Sequence, residues 1–276
     1  MKLQTGKTWL QVLLLAGALA LTAGCESVKT TQAGVVGVDR PQRMAVSSQE
    51  IDQAAKQEYS KLIAEERKKG NVDRDPAQVA RVKAVSTRLI QQVGAFRPDA
   101  RNWQWEMHVL SSNEVNAWCM PGGKIAVYTG IMDKLKLSDD ELAAVLGHEM
   151  AHALREHSRE QASEQAVASM GIQVVSAIAG LGDLGQTSLK YAYQGLLGLP
   201  HSRQHETEAD RIGVELAARA GYDPRAAITL WQKMDKLAGS SGTPTFLSTH
   251  PSNADRLKDL TEYSSKVMPL YQQAKK

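Results

Sequence analysis

The sequence predicts a mainly α (α+β) fold with one small β-sheet. Three observations carry that expectation. Most of the 276 residues fall into long stretches with apolar residues at helical spacing, opened by capping signals. One short region, 103–128, alternates in polarity and is rich in β-formers. Between this region and the later helices lies His148-Glu149-Met150-Ala151-His152, on a segment whose own signals are helical.

The chain begins with a segment that reads as a secretory signal, residues 1–24. Lys2 and Lys7 supply the charge, and Trp9 to Leu21 form an apolar stretch too short for a comfortable membrane span. Leu21-Thr22-Ala23-Gly24-Cys25 then sets small residues directly before a cysteine, which resembles a bacterial lipoprotein box. Cys25 would carry lipid and anchor the mature chain without spanning the bilayer. Glu26 rather than Asp follows, so the expectation is a periplasmic protein on the inner leaflet of the outer membrane. Residues 25–46 mix Ser, Thr, Gly and Val without helical period and read as a flexible tether. The remaining 47–276 form the functional domain. Cys119 then lacks an intramolecular partner and reads as a packing residue.

Ser47-Ser48-Gln49-Glu50 is a capping box that opens a helix to about Lys69, stopped by Gly70 and Asn71. Asp75-Pro76 opens a second helix, with Val79, Val82, Val85, Leu89 and Val93 as its core face and Gly94 as its end. Trp103 to Leu110 alternates, with Trp103, Trp105, Met107 and Val109 on one side. His108 falls on the polar side, as a strand residue rather than a ligand. Ala117–Met120 and Ile125–Tyr128 read as two more strands joined by a turn at Pro121-Gly122-Gly123. Ser138 to Glu141 is a second capping box, and Leu142, Leu146 and Met150 give the following helix an apolar stripe. Residues 165–182 carry no charge but are only weakly apolar, and read as a buried or pocket-lining helix; 184–199 is a candidate mobile lid. Helices are expected from Ser202 to Arg219, from Asp223-Pro224 to Leu237 and from Thr249-His250-Pro251 to about Tyr263, with a loop over 239–245.

On a helix, residues four apart share a face, so His148 and His152 can grip one metal ion. Glu149 sits about 100° further round, close enough to act on a water beside that ion. This is the zinc-peptidase arrangement, in which the ion acidifies a water and a carboxylate takes its proton. A third ligand is needed. His157 follows His152 by five residues without an intervening Gly and points about 140° away, so it reads as a surface residue or as support for a ligand. Glu206 and Asp210 lie four apart: one carboxylate could complete the site and the other orient a ligating His. Taken alone, that pair is better explained by a solvated acidic helix face. His205 and Glu208 face elsewhere.

The order Asn116-Ala117-Trp118-Cys119-Met120-Pro121-Gly122-Gly123, then His148 to His152, then Ser202 to Asp210, then Thr249-His250-Pro251 with Arg256, resembles the HtpX and CAAX prenyl protease family of gluzincins. It is most similar to the periplasmic lipoprotein branch typified by BepA and LoiP, over roughly Ser47 to Tyr263. The resemblance implies a helical zincin-type metallopeptidase domain with one Zn²⁺ per chain. The ligands would be His148, His152 and Glu206, with Glu149 as general base and Asp210 supporting a ligand. Asn116, Ala117, Trp118, Cys119 and Met120 would form a docking edge for extended peptide. His250 would be a fourth ligand that plugs the water position or, once displaced, an oxyanion stabiliser; Arg256 would lie near the site. Cys119 stands where the family more often has a small or aliphatic residue.

The net charge is only +3, from 33 Lys and Arg against 30 Asp and Glu, and no basic block is interleaved with aromatics, which argues against nucleic-acid partners. The expected function is zinc-dependent endoproteolysis of misfolded or stalled outer-membrane proteins in the bacterial envelope. The alternative is a periplasmic chaperone or assembly factor that holds client strands and rarely cuts. A structural lipoprotein with a fortuitous motif is a third reading, and would purify without stoichiometric metal.

Overall fold

The structure, a computed structural model, describes residues 26–179, 203–251 and 254–276. The expected signal segment 1–24, Cys25 and the candidate lid 184–199 lie outside the described residues.

The segment expected as a flexible tether is folded. Strands β1 (Glu26–Val28) and β2 (Gln42–Met44) pair antiparallel, and Val36, Val38 and Met44 between and within them are buried. The absence of helical period was read as absence of structure. In fact the partners of this strap lie far along the chain. Gln32 N–H donates to the Phe96 carbonyl (2.7 Å) and Val36 N–H to Glu215 Oε2 (2.9 Å). Among the described residues there are consequently two small sheets, not one.

Helix α1 (Ser48–Lys68) opens on the expected capping box, with Glu50 N–H donating to Ser47 Oγ and Ser47 N–H to Glu50 Oε2. Helix α2 (Pro76–Ile90) is capped by Asp75 and buries Val82, Val85 and Leu89. It ends before Gly94, and a 3₁₀ turn over Val93–Ala95 follows. The second sheet has the order β3 (Glu106–Leu110), β5 (Lys124–Tyr128), β4 (Ala117–Met120), with β3 parallel and β4 antiparallel to β5. Strand β3 starts later than expected because Trp105 donates its indole N–H to the Ala100 carbonyl (2.8 Å) and stacks on Trp103. His108 pairs with Asp73 (2.6 Å).

After α3 (Thr129–Leu135), helix α4 (Asp139–Leu154) carries the capping box Ser138/Glu141 and three acidic residues in its first turn, where the helix dipole favours them. Leu142, Leu146 and Met150 are fully buried, and almost every other residue of α4 is buried too, so it is the central helix of the core. It packs against β4, α2 and α7 (Ala226–Ser241). Helix α5 (His157–Ala179) contains the start of the uncharged stretch, but 165–173 is half-buried to exposed and Met170 is half exposed. For those residues the expectation of a buried helix is wrong: low charge without large apolar side chains does not drive burial. Among the described residues no helix is long and apolar enough to cross a membrane. A helix over 203–219, here α6, precedes α7; α8 (Thr245–Thr249) and α9 (Ala254–Ala274) complete the chain.

Arg155, at the end of α4, locks the strap onto this core. It is fully buried and donates to Glu208 Oε2 from Nε (2.9 Å) and Nη2 (2.7 Å), to Thr30 and Thr31 from Nη1, and to the Arg40 carbonyl from Nη2. Replacing it by Met leaves Glu208 buried with one guanidinium fewer, and should lower unfolding free energy by about 3–5 kcal/mol in chemical denaturation. Burial alone would raise the Glu208 pKa, but His157, Arg40 and Arg155 outweigh it and hold the carboxyl at about 2. Relative to an ordinary carboxyl near 4.3, that stabilisation is complete above about pH 5 and is lost as pH falls toward 2. Glu208→Gln should therefore flatten the acid limb of the stability–pH curve; an unchanged slope would contradict the assignment.

Candidate metal centre

Helices α4 and α6 cross with no side chain between them. A Cβ on Gly147 would lie 2.8 Å from the Gly213 carbonyl oxygen, and a Cβ on Gly213 would lie 2.8 Å from the His148 nitrogen. Backbone therefore rests on backbone. Because Glu206 and Asp210 lie on the same helix as Gly213, two turns and one turn before it respectively, the crossing brings both carboxylates to the imidazoles of α4.

The ligand-type atoms of His148, His152, Glu206 and His250 all lie within 4.8 Å of one another. His148 Nε2 is 3.1 Å from His152 Nε2 and 3.4 Å from Glu206 Oε2, and His152 Nε2 is 3.3 Å from Glu206 Oε1. His250 Nδ1 is 3.2 Å from His148 Nε2 and 3.0 Å from Glu206 Oε1. Four atoms held tetrahedrally at about 2.0–2.1 Å from a zinc ion lie about 3.3 Å apart, so these separations are those of a zinc coordination sphere. Two nitrogens and a carboxylate with a fourth position beside them are also the donor set such an ion takes in catalysis. The residues present fit zinc.

Asp210 Oδ1 sits 2.9 Å from His148 Nδ1 and fixes that ring with Nε2 facing the centre. Arg256 binds both carboxylates, with Nε 2.6 Å from Asp210 Oδ2 and Nη2 3.1 Å from Glu206 Oε2, and stacks its guanidinium 3.5 Å from the Trp231 ring centroid. Burial would raise the Glu206 pKa, yet the three surrounding imidazoles hold it well below the carboxylate range. Burial would lower that of His148, but Asp210 and Glu206 raise it to about 9. Burial keeps His152 neutral, with a lone pair to offer. The site thus draws one positive charge to the point where the nitrogens meet. Glu149 is buried, which pushes its carboxyl up despite His250 and His148, and its Oε1 has no hydrogen-bond partner; His250 Nε2 lies 3.4 Å from it. A desolvated carboxylate with a free oxygen beside a metal position is suited to proton transfer.

Asn116 to Met120 form the approach to β4 and the strand itself, which has β5 on one side and, among the described residues, no strand on the other. The Val115 carbonyl accepts from Phe246 N–H (3.0 Å), and the Phe246 carbonyl accepts from His250 N–H (2.8 Å), so the turn that carries His250 is tied to the start of this edge. Cys119 is buried, which pushes its thiol up. His157 is not a surface residue: it is buried, with Nδ1 2.9 Å from His152 Nδ1. His205 and Glu208 do face away from the metal position, as expected, but into a second buried network. Sequence reasoning missed the Gly147–Gly213 contact and Trp231. The signal for the first was present, since glycine inside a helix costs about 1 kcal/mol and calls for a packing reason.

Gly213→Ala should force α6 back from α4, lowering stability by about 1–3 kcal/mol and weakening zinc binding. Thermal unfolding and chelator competition would read this; wild-type values in both would show that the close crossing is dispensable.

Comparison with known proteins sets this geometry in a family. The profile of peptidase family M48 matches residues 76–264. Mitochondrial metalloendopeptidase OMA1 of Schizosaccharomyces pombe is 44% identical over 162 residues, which cover 58% of this chain and 47% of the relative. Metalloendopeptidase OMA1 of Bos taurus, also mitochondrial, is 35% identical over 213 residues, 74% of this chain and 40% of its own. The beta-barrel assembly-enhancing protease of Escherichia coli is 27% identical over 213 residues, 72% of this chain and 42% of its own. The chain spans half or less of the length of these relatives. The matches support the M48 family as a whole rather than the HtpX and CAAX branch. They overturn the expected periplasmic, outer-membrane location: relatives at 44% and 35% identity are mitochondrial, whereas the bacterial one stands at 27%. That expectation rested on the signal-like segment 1–24, the short box before Cys25, Glu26 and the resemblance to the periplasmic lipoprotein branch. The profile runs from α2 into α9 and takes in every residue of the metal centre, and on that match the chain belongs to peptidase family M48, the zinc metallopeptidases.

Proposed function

We propose that the protein is a zinc-dependent endopeptidase, closed at rest by His250, that cleaves extended segments of misfolded or stalled proteins laid along β4. The observation that carries this reading is the convergence of His148, His152 and Glu206 beside the unpartnered Glu149 Oε1. His148, His152 and Glu206 would hold the ion. Zinc bound there supplies Lewis-acid polarisation of the scissile carbonyl and acidifies the attacking water. Glu149 Oε1 takes the proton of that water and passes it to the leaving nitrogen. Asp210 holds His148 in the ligating tautomer, and Arg256 offsets the two buried carboxylates so that both stay ionised.

His250 sits where a water or substrate would have to enter, against Glu206, His148 and Glu149. Its withdrawal would open the fourth position, and the withdrawn imidazole would then lie near the carbonyl oxygen. The unpaired edge of β4 supports docking of a peptide as an added strand, with Asn116 to Met120 as the contact. A relative named for enhancing beta-barrel assembly supports clients that expose unpaired strands. The filled fourth position also favours a second reading, an assembly factor that holds such strands and seldom cuts.

Cleavage of casein by metal-quantified protein separates the two. Glu149→Gln should keep one zinc per chain and lose about 10²–10⁴-fold in turnover. His250→Ala should cut faster than wild type. If both wild type and His250→Ala bind zinc and neither cuts, the endopeptidase reading fails and the assembly factor takes its place.

A further inference from the structure

A second group of ligand-type side chains lies beside the metal centre. His157, Glu160 and His205 are all buried, with ligand-type atoms within 4.8 Å of one another. It is not arranged to hold an ion. The His157 and His205 rings stack nearly parallel, 4.3 Å between centroids and 14° between planes, so their nitrogen lone pairs run side by side instead of meeting at a point. Glu160 is already satisfied: it accepts from Arg40 Nη1 (2.6 Å) and Nη2 (2.9 Å) and from Gln42 Nε2 (2.6 Å), and lies 3.1 Å from His205 Nε2.

What His157 does reach is His152. Their Nδ1 atoms are 2.9 Å apart, and the other nitrogen of His157, Nε2, is 3.2 Å from Glu208 Oε2. His152 turns Nε2 toward His148 and Glu206, so a ligating His152 carries its proton on Nδ1. That proton is donated to His157 Nδ1, which leaves the His157 proton on Nε2, donated to Glu208. The direction of every hydrogen bond in the chain follows from one requirement, a free lone pair on His152 Nε2. Glu208 is in turn gripped by Arg155 and by Arg40 Nε (2.7 Å). Arg40 belongs to the strap that precedes β2 and lies outside the residues matched by the M48 profile.

We propose that His157 and Glu208 are positioning residues that orient the second imidazole ligand, and that the N-terminal strap completes this relay through Arg40. His148 has its carboxylate directly, from Asp210; His152 has one at second hand, through His157. The inference rests on the zinc centre proposed above.

The test uses the full chain and reads zinc affinity by competition with a chromophoric chelator, together with thermal unfolding in excess chelator and in excess zinc. His157→Phe, which removes the acceptor, should weaken zinc by about 10–100-fold. His157→Asn, whose side-chain oxygen can take the place of Nδ1, should restore most of it. Arg40→Met, at the half-exposed end of the relay, should weaken zinc severalfold. In His157→Phe the stabilisation gained on adding zinc should shrink in step with the affinity. If wild type and His157→Phe hold zinc equally, or if His157→Phe loses the same stability with and without zinc, the relay is overturned. If wild type itself holds no stoichiometric zinc, the zinc centre falls and the relay with it.

Discussion

The contact on which the site depends is the crossing of two helix backbones at Gly147 and Gly213. Carboxylate side chains are short. For Glu206 to stand 3.3–3.4 Å from the Nε2 atoms of His148 and His152, and Asp210 2.9 Å from Nδ1 of His148, the helix that carries them must come closer than any pair of ordinary side chains would permit. Two interior glycines weaken each helix slightly. In return they remove the only groups that would hold the backbones apart. The capping box and buried stripe of α4 set that helix rigidly in the core, and the crossing then transfers this rigidity to the acidic residues of α6.

Charge balance explains the rest of the site. Two buried carboxylates, Glu206 and Asp210, would be prohibitive on their own. Arg256 meets both, and its guanidinium is itself sandwiched against Trp231. Asp210 and Glu206 in turn raise the pKa of His148, while burial holds that of His152 down. On the far side of His152 the same problem is solved with two arginines, Arg40 and Arg155, around Glu208 and Glu160. The proposed zinc position is thus flanked by two buried ion networks, and the second is built partly from the N-terminal strap.

What could be read from the chain follows the range of the forces involved. Capping boxes at Ser47 and Ser138, the Asp75-Pro76 start and the spacing of His148 and His152 are local patterns, and each appears where expected. Helix ends were less legible. Helix α9 (Ala254–Ala274) runs on past Tyr263, where Val267 is buried in the core, and α7 runs on to Ser241 through the exposed Gly239 and Ser240. The strap over 26–46 was illegible because its order comes from Phe96, Glu215, Glu208 and Glu160, residues that lie far along the sequence. Helical angle alone leaves His157 as either a surface residue or support for a ligand, and burial decides against the surface. Helix α4 ends at Leu154, and Glu156 adopts φ 52°, so the turn brings the His157 ring back beneath His152. No periodicity continues across such a break.

The helix crossing should hold the proposed zinc ligands in place before the metal arrives. A pair of crystal structures, one loaded with zinc and one prepared in chelator, tests it most directly. A single zinc held by His148, His152 and Glu206 is expected, with those three side chains shifted by less than about 0.5 Å between the two structures. Zinc at any other residues, or a ligand set that assembles only when the metal arrives, would contradict it.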